Sequence, residues 1–370
     1  MTAAVTGEPA GAGRVEEERA AQELAERRVR RALGAVEVVG GRALHGGLYN
    51  SARLVELADG RRLVLKAAPP ADAPALTHEQ GLLGTETLFH RLAAATGAPV
   101  PAVLHHEPAG PDTPGAWLLL EYLDGDTWDE LRDGLTGNQR APLRRQLGAV
   151  AARIAGATGP CFGYPQPVTG LQGADWPTAF AGMLRAVLAD AERFGVPLPA
   201  PAAVLAGLPE RFAPALAEVR RPALVHFDAW EGNLVLTRDP VHGGPRLGGL
   251  IDGERAFFGD PLAELVGLDP LGTPGDDADL LAGYRSIDPG LRTDTPAARA
   301  RLALYRIYLA LVMRVESAPR GYAPEHTAWL LSWSAERVTE QLALLDGLDG
   351  KGAPGPGGTA TGPGGTAADG

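Results

Sequence analysis

Short β-like runs lie near the start of the chain: Val-Glu-Val-Val at 36–39, Ala-Arg-Leu-Val-Glu-Leu at 52–57 and Arg-Arg-Leu-Val-Leu-Lys-Ala at 61–67. Asp59-Gly60 between the last two is a hairpin signal. Ahead of them, Arg14 to Gly34 reads as an amphipathic helix. Glu16, Glu17 and Glu18 lie at its start and Arg27, Arg28, Arg30 and Arg31 at its end, the order that suits the helix dipole, and Gly34 can close it. A helix is expected from about Leu76 to Thr96, then a Pro-punctuated stretch, then a buried strand Trp-Leu-Leu-Leu-Glu-Tyr-Leu at 117–123. The first third is therefore a small antiparallel sheet with one internal helix. The remainder is mainly helical, with candidate helices at 127–134, 138–157, 174–195, 201–219, 261–268, 276–283, 296–317 and 324–346, and β-like pieces at 234–237 and 247–252. The pattern predicts an α+β, two-lobed architecture, with an N-terminal lobe over 14–120 and a C-terminal lobe over 121–348. The flanks 1–13 and 349–370 are small, polar and Gly-rich, and are expected to be disordered. A cleft between two lobes is a usual place for a small-molecule site.

Composition narrows the function. The 370 residues are 45% hydrophobic and 21% charged, with a net charge of −11, a poor match for binding a phosphate backbone by counterion release. The single cysteine, Cys161, excludes an internal disulfide framework and a thiolate zinc cluster. The start shows no secretory pattern, and no apolar run approaches the roughly 20 residues that span a bilayer. A soluble cytoplasmic protein with no nucleic-acid or membrane partner is expected. Nothing in the pattern speaks to oligomeric state.

The segment Leu-Val-His-Phe-Asp-Ala-Trp-Glu-Gly-Asn-Leu-Val-Leu at 224–236 sets His226, Asp228 and Asn233 in the pattern H-x-D-x-x-x-x-N. Phosphoryl transfer to an alcohol needs a carboxylate that orients the hydroxyl and takes its proton, and an amide oxygen nearby to hold Mg²⁺. A loop with Asp and Asn five residues apart, running into a short strand, can aim both into one cleft. A surface loop with an Asx-turn is the plain alternative. A hairpin-length connection later, an apolar strand ends in Asp252, where a second Mg²⁺ ligand would stand; an ordinary Asp-Gly turn is its alternative. Asp260-Pro261 reads as a helix N-cap followed by Pro at N1.

Lys66 sits in an apolar strand, Leu-Val-Leu-Lys-Ala, where burying an ammonium is costly unless it has a task. Reaching nucleotide phosphates would be one; an edge lysine with its head in water is the other reading. Its partner should be a glutamate on the next helix. Glu79 and Glu86 lie seven apart on one predicted face, and Glu86 is preferred because it stands deeper in the apolar pattern. Gly46 and Gly47, just before Ser51, can form a loop whose N–H groups cradle phosphate, or a plain hairpin. No P-loop and no dinucleotide glycine pattern is present.

The order of these parts (glycine-containing hairpin, strand lysine, helix glutamate, Val-Pro-x-Val-Leu, Leu-Leu-Leu-Glu-Tyr-Leu-Asp-Gly, H-x-D-x-x-x-x-N, then Ile-Asp and Gly-Asp-Pro) resembles the aminoglycoside phosphotransferase family, within the protein-kinase-like fold that also holds choline and fructosamine kinases. The resemblance covers about residues 36 to 345. It implies ATP and Mg²⁺ as cofactors and transfer of the γ-phosphoryl to a hydroxyl of an antibiotic, amino sugar or related metabolite. By the same resemblance Lys66 binds the α/β-phosphates and pairs with Glu86, and Gly46, Gly47 and Ser51 face phosphate. Glu121 and Leu123 belong to the linker that holds adenine through its backbone. Asp228 is the catalytic base, Asn233 and Asp252 hold Mg²⁺, and His226 props the loop. Trp230, Glu231 and Glu254 lie where an acceptor would be contacted, beside Asp228. Where the family often has His-Gly-Asp the chain has His-Phe-Asp, with Phe227, which leaves the carboxylate untouched.

The acceptor is less legible. Asp124, Asp126, Asp129, Glu130 and Asp133 follow the linker and would suit a polycation, or form an ordinary solvated helix face. Asp175 and Trp176 lie in the segment where the family's acceptor-specific helices occur. A catalytically idle kinase-like binder is the reading from another class; the presence of Lys66, Asp228, Asn233 and Asp252 together weighs against it.

Overall fold

A computed structural model describes residues 12–44, 50–70, 72–110, 113, 115–241, 243–272 and 276–349. Helix α1 (Ala12–Leu33) is closed by Gly34 at φ 80°. Strands β1 (Val38–Leu44), β2 (Ser51–Leu57) and β3 (Arg62–Ala67), helix α2 (Leu82–Ala95), then β4 (Val103–Glu107) and β5 (Trp117–Glu121) follow. The strands make one antiparallel sheet in the order β1-β2-β3-β5-β4. Successive side chains leave a strand on opposite faces. Leu63, Leu65, Trp117 and Leu119 form one apolar cluster with Ala25 and Val29 of α1, whereas Leu118 and Leu120 cluster with Leu83 of α2. A sheet that is apolar on both faces needs cover on both. The lobe therefore carries the two helices the pattern predicts, the leading amphipathic helix and the internal one: α1 covers the outer face and α2 the inner.

Other boundaries differ for local reasons. The strand expected at 36–39 begins at Val38 and runs on through Gly40 and Gly41. The helix expected from Leu76 to Thr96 is broken: Thr77–Glu79 is a single 3-10 turn, Gly81 takes φ 79°, and α2 starts at Leu82.

The larger lobe contains β6 (Asp126–Thr127), α3 (Trp128–Leu131), α4 (Gly137–Ile154), β7 (Phe162–Gly163), β8 (Gln172–Gly173), α5 (Trp176–Arg193), α6 (Ala202–Arg211) and α7 (Ala213–Leu216). It continues with β9 (Ala223–Val225), β10 (Leu234–Arg238), β11 (Pro245–Leu250), β12 (Phe257–Gly259), α8 (Pro261–Leu268), α9 (Ala278–Arg285), α10 (Pro296–Glu316) and α11 (Pro324–Leu348). Two small sheets, β11-β10-β6 and β8-β7-β12-β9, carry the segments that matter for chemistry. The helix expected over 201–219 is two helices, joined at Phe212.

The core of this lobe centres on α10, buried along most of its length. Trp176 is fully buried and donates from its indole N–H to the Tyr305 hydroxyl at 2.7 Å, and Asp175 caps α5 by accepting from the Thr178 amide at 2.8 Å. Both acceptor candidates are thereby framework residues. Asp260 caps α8, accepting from the Leu262 amide at 3.0 Å, and also meets Arg301 and the Tyr305 hydroxyl, as its N-cap reading required. Among the described residues no helix is long and apolar enough to cross a membrane.

Candidate active site

Strand β9 ends at Val225 and delivers His226, Phe227 and Asp228 into the interlobe cleft. His226 is buried and tied at three points. Its amide donates to Glu264 Oε2 at 2.6 Å, its Nε2 meets the Ile251 carbonyl at 2.9 Å, and its Nδ1 accepts from the Asp228 amide at 3.2 Å. The carbonyl fixes the proton on Nε2, and burial pushes the imidazole down to about 4, so the ring is neutral and acts as a brace. Phe227 takes φ 64°, in the left-handed region that normally suits glycine. Its ring offsets the strain, since it is fully buried against Phe257 and Tyr308 with centroids 5.0 and 5.8 Å away. The residue that departs from the usual His-Gly-Asp is thus the one whose backbone asks for glycine.

Asn233 donates from Nδ2 to the Asp228 carbonyl at 2.7 Å, which turns its Oδ1 outward as a free acceptor. The Asp228 carboxyl remains partly open. Loss of hydration pushes it up to about 6 although Arg255 pulls it down, which places it near the operating range of a general base.

Lys66 projects from β3 to the α2 side of the sheet. Its ammonium meets Glu86 Oε1 at 2.6 Å and Asp252 Oδ1 at 2.5 Å. Burial alone would drive the lysine down, but Asp252 and then Glu86 outweigh it and hold the ammonium well above its ordinary range. Glu86 is fully buried, is steadied by His90 Nε2 at 3.3 Å, and keeps one oxygen, Oε2, without a partner. Glu79 does not share this face. The left-handed Gly81 turns the chain between the two glutamates, so Glu79 points to the larger lobe and pairs with Arg320 at 2.5 Å. Asp252 follows the end of β11 in the left-handed region at φ 65°, and Gly253 beside it lies so close to Phe89 of α2 that a Cβ there would come within 2.2 Å of the ring. Glu254 accepts from Asn50 Nδ2 at 2.5 Å; burial and then the neighbouring Asp252 push it up to about 8. Carboxylate oxygens of Glu86, Asp252 and Glu254 lie within 4.8 Å of one another.

Ser51 is held on the sheet, its Oγ donating to the Ala67 carbonyl at 3.4 Å. Gly46 and Gly47 lie outside the described residues. In the linker, the Glu121 amide donates to Ala102 O at 2.9 Å and the Tyr122 amide to Arg62 O at 3.0 Å. Leu123 covers Gly249, and Gly125 passes so close under Leu236 that a Cβ would meet its carbonyl at 2.1 Å.

Sequence reasoning passed over the surroundings of Asp228. Arg255 Nε stands 3.5 Å from Asp228 Oδ2, and its Nη2 meets Glu316 Oε2 at 2.7 Å. Arg255 lies three residues past Asp252, close enough to have been noticed; Glu316 and Arg320 carry no local signal. Part of the acidic stretch after the linker is engaged within the chain. Asp124 pairs with Arg62, Asp129 with Arg132, and Glu130 forms a capping box with Thr127 at 2.9 Å. Glu231 pairs with Arg132 at 2.7 Å. Exposed Trp230 and this pair border a cleft of about 440 Å³ beside the Asp228 loop, also lined by Trp128, Arg140 and Arg144.

A family model described as "phosphotransferase enzyme family" matches residues 40–305. Comparison with curated protein sequences finds no match. Among solved structures, a candidate fructosamine-3-kinase from Thermobifida fusca YX-ER1 is 24% identical with a TM-score of 0.60, over 85% of this chain and 98% of that one. A thermostable mutant of aminoglycoside phosphotransferase APH(4)-Ia, in ternary complex with AMP-PNP and hygromycin B, is 20% identical with a TM-score of 0.56, over 85% and 97%. APH(2")-IIa in complex with gentamicin is 15% identical with a TM-score of 0.55, over 85% and 97%. These likenesses establish the two-lobed kinase-like fold, and the family match spans both lobes and every residue just described from Lys66 to Arg255. The chain belongs to the phosphotransferase enzyme family and is a small-molecule kinase with hydroxyl acceptors.

Proposed function

We propose that the chain transfers the γ-phosphoryl of ATP to a hydroxyl of a small molecule, with Asp228 as base. The observation that carries this reading is the convergence, from separate elements, of Lys66, Glu86, Asp252, Asn233 and a half-open Asp228 on one cleft. Lys66 would hold the α/β-phosphates, kept charged by Glu86. Glu121 and Leu123 would meet adenine through backbone groups, with the Glu121 and Tyr122 amides already spent on the sheet. The donors suit a hard divalent cation: an amide oxygen oriented outward at Asn233, and carboxylate oxygens crowded at Asp252 with one orphan oxygen at Glu86. Asn233 and Asp252 would hold Mg²⁺, which when bound neutralises phosphate charge.

The acceptor hydroxyl would lie against Asp228. Its oxygen forms the new bond to the γ-phosphorus as the bond to the β-phosphate oxygen breaks; its proton passes to Asp228 and ADP departs. Positioning and charge stabilisation supply the rest of the rate. The acceptor would extend toward Trp230 and Glu231. Since Asp129 and Glu231 are engaged with Arg132 and Glu130 with a helix cap, the aromatic face of Trp230 offers a hydroxylated ring a stacking surface on that side.

The test incubates purified protein with ATP, Mg²⁺ and a panel of aminoglycosides, other hydroxylated antibiotics, amino sugars and choline-like alcohols, with mass spectrometry of products. A phosphorylated product from the wild type and none from Asp228→Asn supports the reading. Absence of both product and Mg²⁺-dependent nucleotide binding overturns it in favour of an idle binder.

A further inference from the structure

The groups behind Asp228 alternate in sign. Asp228 faces Arg255 at 3.5 Å, Arg255 meets Glu316 at 2.7 Å, Arg320 meets the same Glu316 oxygen at 3.4 Å, and Arg320 reaches Glu79 at 2.5 Å. The inner members are nearly dry, with side-chain exposures of 5% for Glu316, 7% for Arg320 and 1% for Glu79. Tyr322 caps Glu316 from its other side, its hydroxyl 3.4 Å from Oε1. Buried ion pairs add little to stability compared with apolar packing, yet removing one partner strands the other's charge. A ladder of this kind is therefore sensitive to loss of any rung.

Its two ends give it meaning. At one end Arg255 engages Asp228 Oδ2 and leaves Oδ1 for a ligand. At the other, Glu79 sits in the turn just before α2, the helix whose Glu86 pairs with Lys66. That turn is fastened to the larger lobe at further points. The Thr77 amide and hydroxyl donate to Asp190 at 2.7 and 2.9 Å, and Arg193 donates to the Ala75 carbonyl at 2.7 Å. The turn is thus fixed to the larger lobe, while α2 after it bridges the two, with Leu83 packed under the sheet and Phe89 and Ala93 in the larger lobe's core.

We propose that Arg255, Glu316, Arg320 and Glu79 are positioning residues, an ion-pair chain that orients the Asp228 carboxylate and registers it to the approach of α2. The inference rests on the proposed role of Asp228. It differs from a merely structural clasp in predicting that a change at Glu79 is felt at Asp228 through Arg255.

The test compares wild type, Glu79→Gln, Arg320→Lys, Arg255→Met and the double variant Glu79→Gln/Arg255→Met. The probe is MgATP, with turnover read as ADP release to water or to an identified acceptor. Glu79→Gln should bind MgATP within about twofold of wild type and turn over about tenfold more slowly. Arg320→Lys, which keeps the charge, should fall between. The double variant should be no slower than Arg255→Met alone. Hydrogen exchange, which needs no turnover, should show residues 226–233 exchanging about threefold faster in Glu79→Gln, with α9 unchanged as control. Additive losses in the double variant, or unaltered exchange at 226–233, overturn the chain. If the wild type neither binds nor turns over MgATP, the reading of function fails, and the exchange experiment still decides whether the coupling exists.

Discussion

Two acidic regions face the cleft, and they behave differently. Around Lys66, Glu86 and Asp252 share one ammonium while Glu254 stands beside them holding its proton up to about 8, so buried acid outnumbers the one cation at close quarters. Along the rim beside Trp230, Asp124 pairs with Arg62, Asp129 and Glu231 share Arg132, and Glu130 is spent on a cap. Both regions hold more acids than cations; what separates them is burial, since the carboxylates beside Lys66 are largely out of water and those of the rim are solvated. What marks a cation site is charge that the protein leaves unmatched in a place it also desolvates, since only such charge gains from an arriving ion.

The sharpest way to break this comparison is Lys66→Met. It removes the only ammonium among the carboxylates, and phosphoryl transfer should fall by about 100-fold or more while the rim is untouched. Steady-state rates with MgATP titration check it; a loss below tenfold would mean the imbalance is not organised around this lysine. The next largest effect concerns Glu254. In the unfolded chain this carboxyl ionises near its ordinary value, but in the fold it holds its proton up to about 8. The native state then binds more protons than the unfolded state between those values, so this group's contribution to stability declines as pH rises through them and is least favourable above 8. Glu254→Gln should raise the melting temperature clearly at pH 9 and hardly at pH 5. Equal shifts at both values would contradict the unmatched-charge account.

On the rim, effects should be smaller and confined to the acceptor. Trp230→Ala should raise acceptor KM by about tenfold with kcat and nucleotide affinity little changed. A parallel fall in nucleotide affinity would place Trp230 on the wrong side of the comparison. Smallest of all, Asp129→Asn should leave melting temperature and kinetics at wild-type values, because both partners of this ion pair are largely in water.

The residues of the candidate site were legible wherever the proposed chemistry asks for a local spacing. Asp228, Asn233 and Asp252 come from one hairpin and its two approaches, and Lys66 stands out as a charge in an apolar strand. Three things were not legible. The break at Gly81 was hidden because Leu82 and Leu83 continue the apolar pattern, so Glu79 and Glu86 looked like one face. The strands β7, β8, β9 and β12 are two or three residues long, too short to leave a period. The ladder from Arg255 to Glu79 joins segments far apart in sequence, and nothing local announces that two arginines and two glutamates will meet. Phe227 is an intermediate case. Its place beside Asp228 was plain, but its left-handed backbone, and the aromatic packing that sustains it, exist only in the fold.

The ladder β11-β10-β6 has a consequence for how this chain can vary in length. The linker's Asp126 and Thr127 pair with Leu236 and Val235, and β10 pairs in turn with the strand leading to Asp252. The stretch from Leu123 to Thr127 is also pinned at Gly125 under Leu236. One residue inserted there would slip the register and exchange the inward and outward faces of every pair beyond it, so the reach from the end of β5 to the catalytic lobe is set as by a gauge. The turn joining β10 to β11 hangs off the far end of the same ladder, its described residues hold none of the cleft, and it is where added or lost residues would be absorbed without moving Asn233 or Asp252.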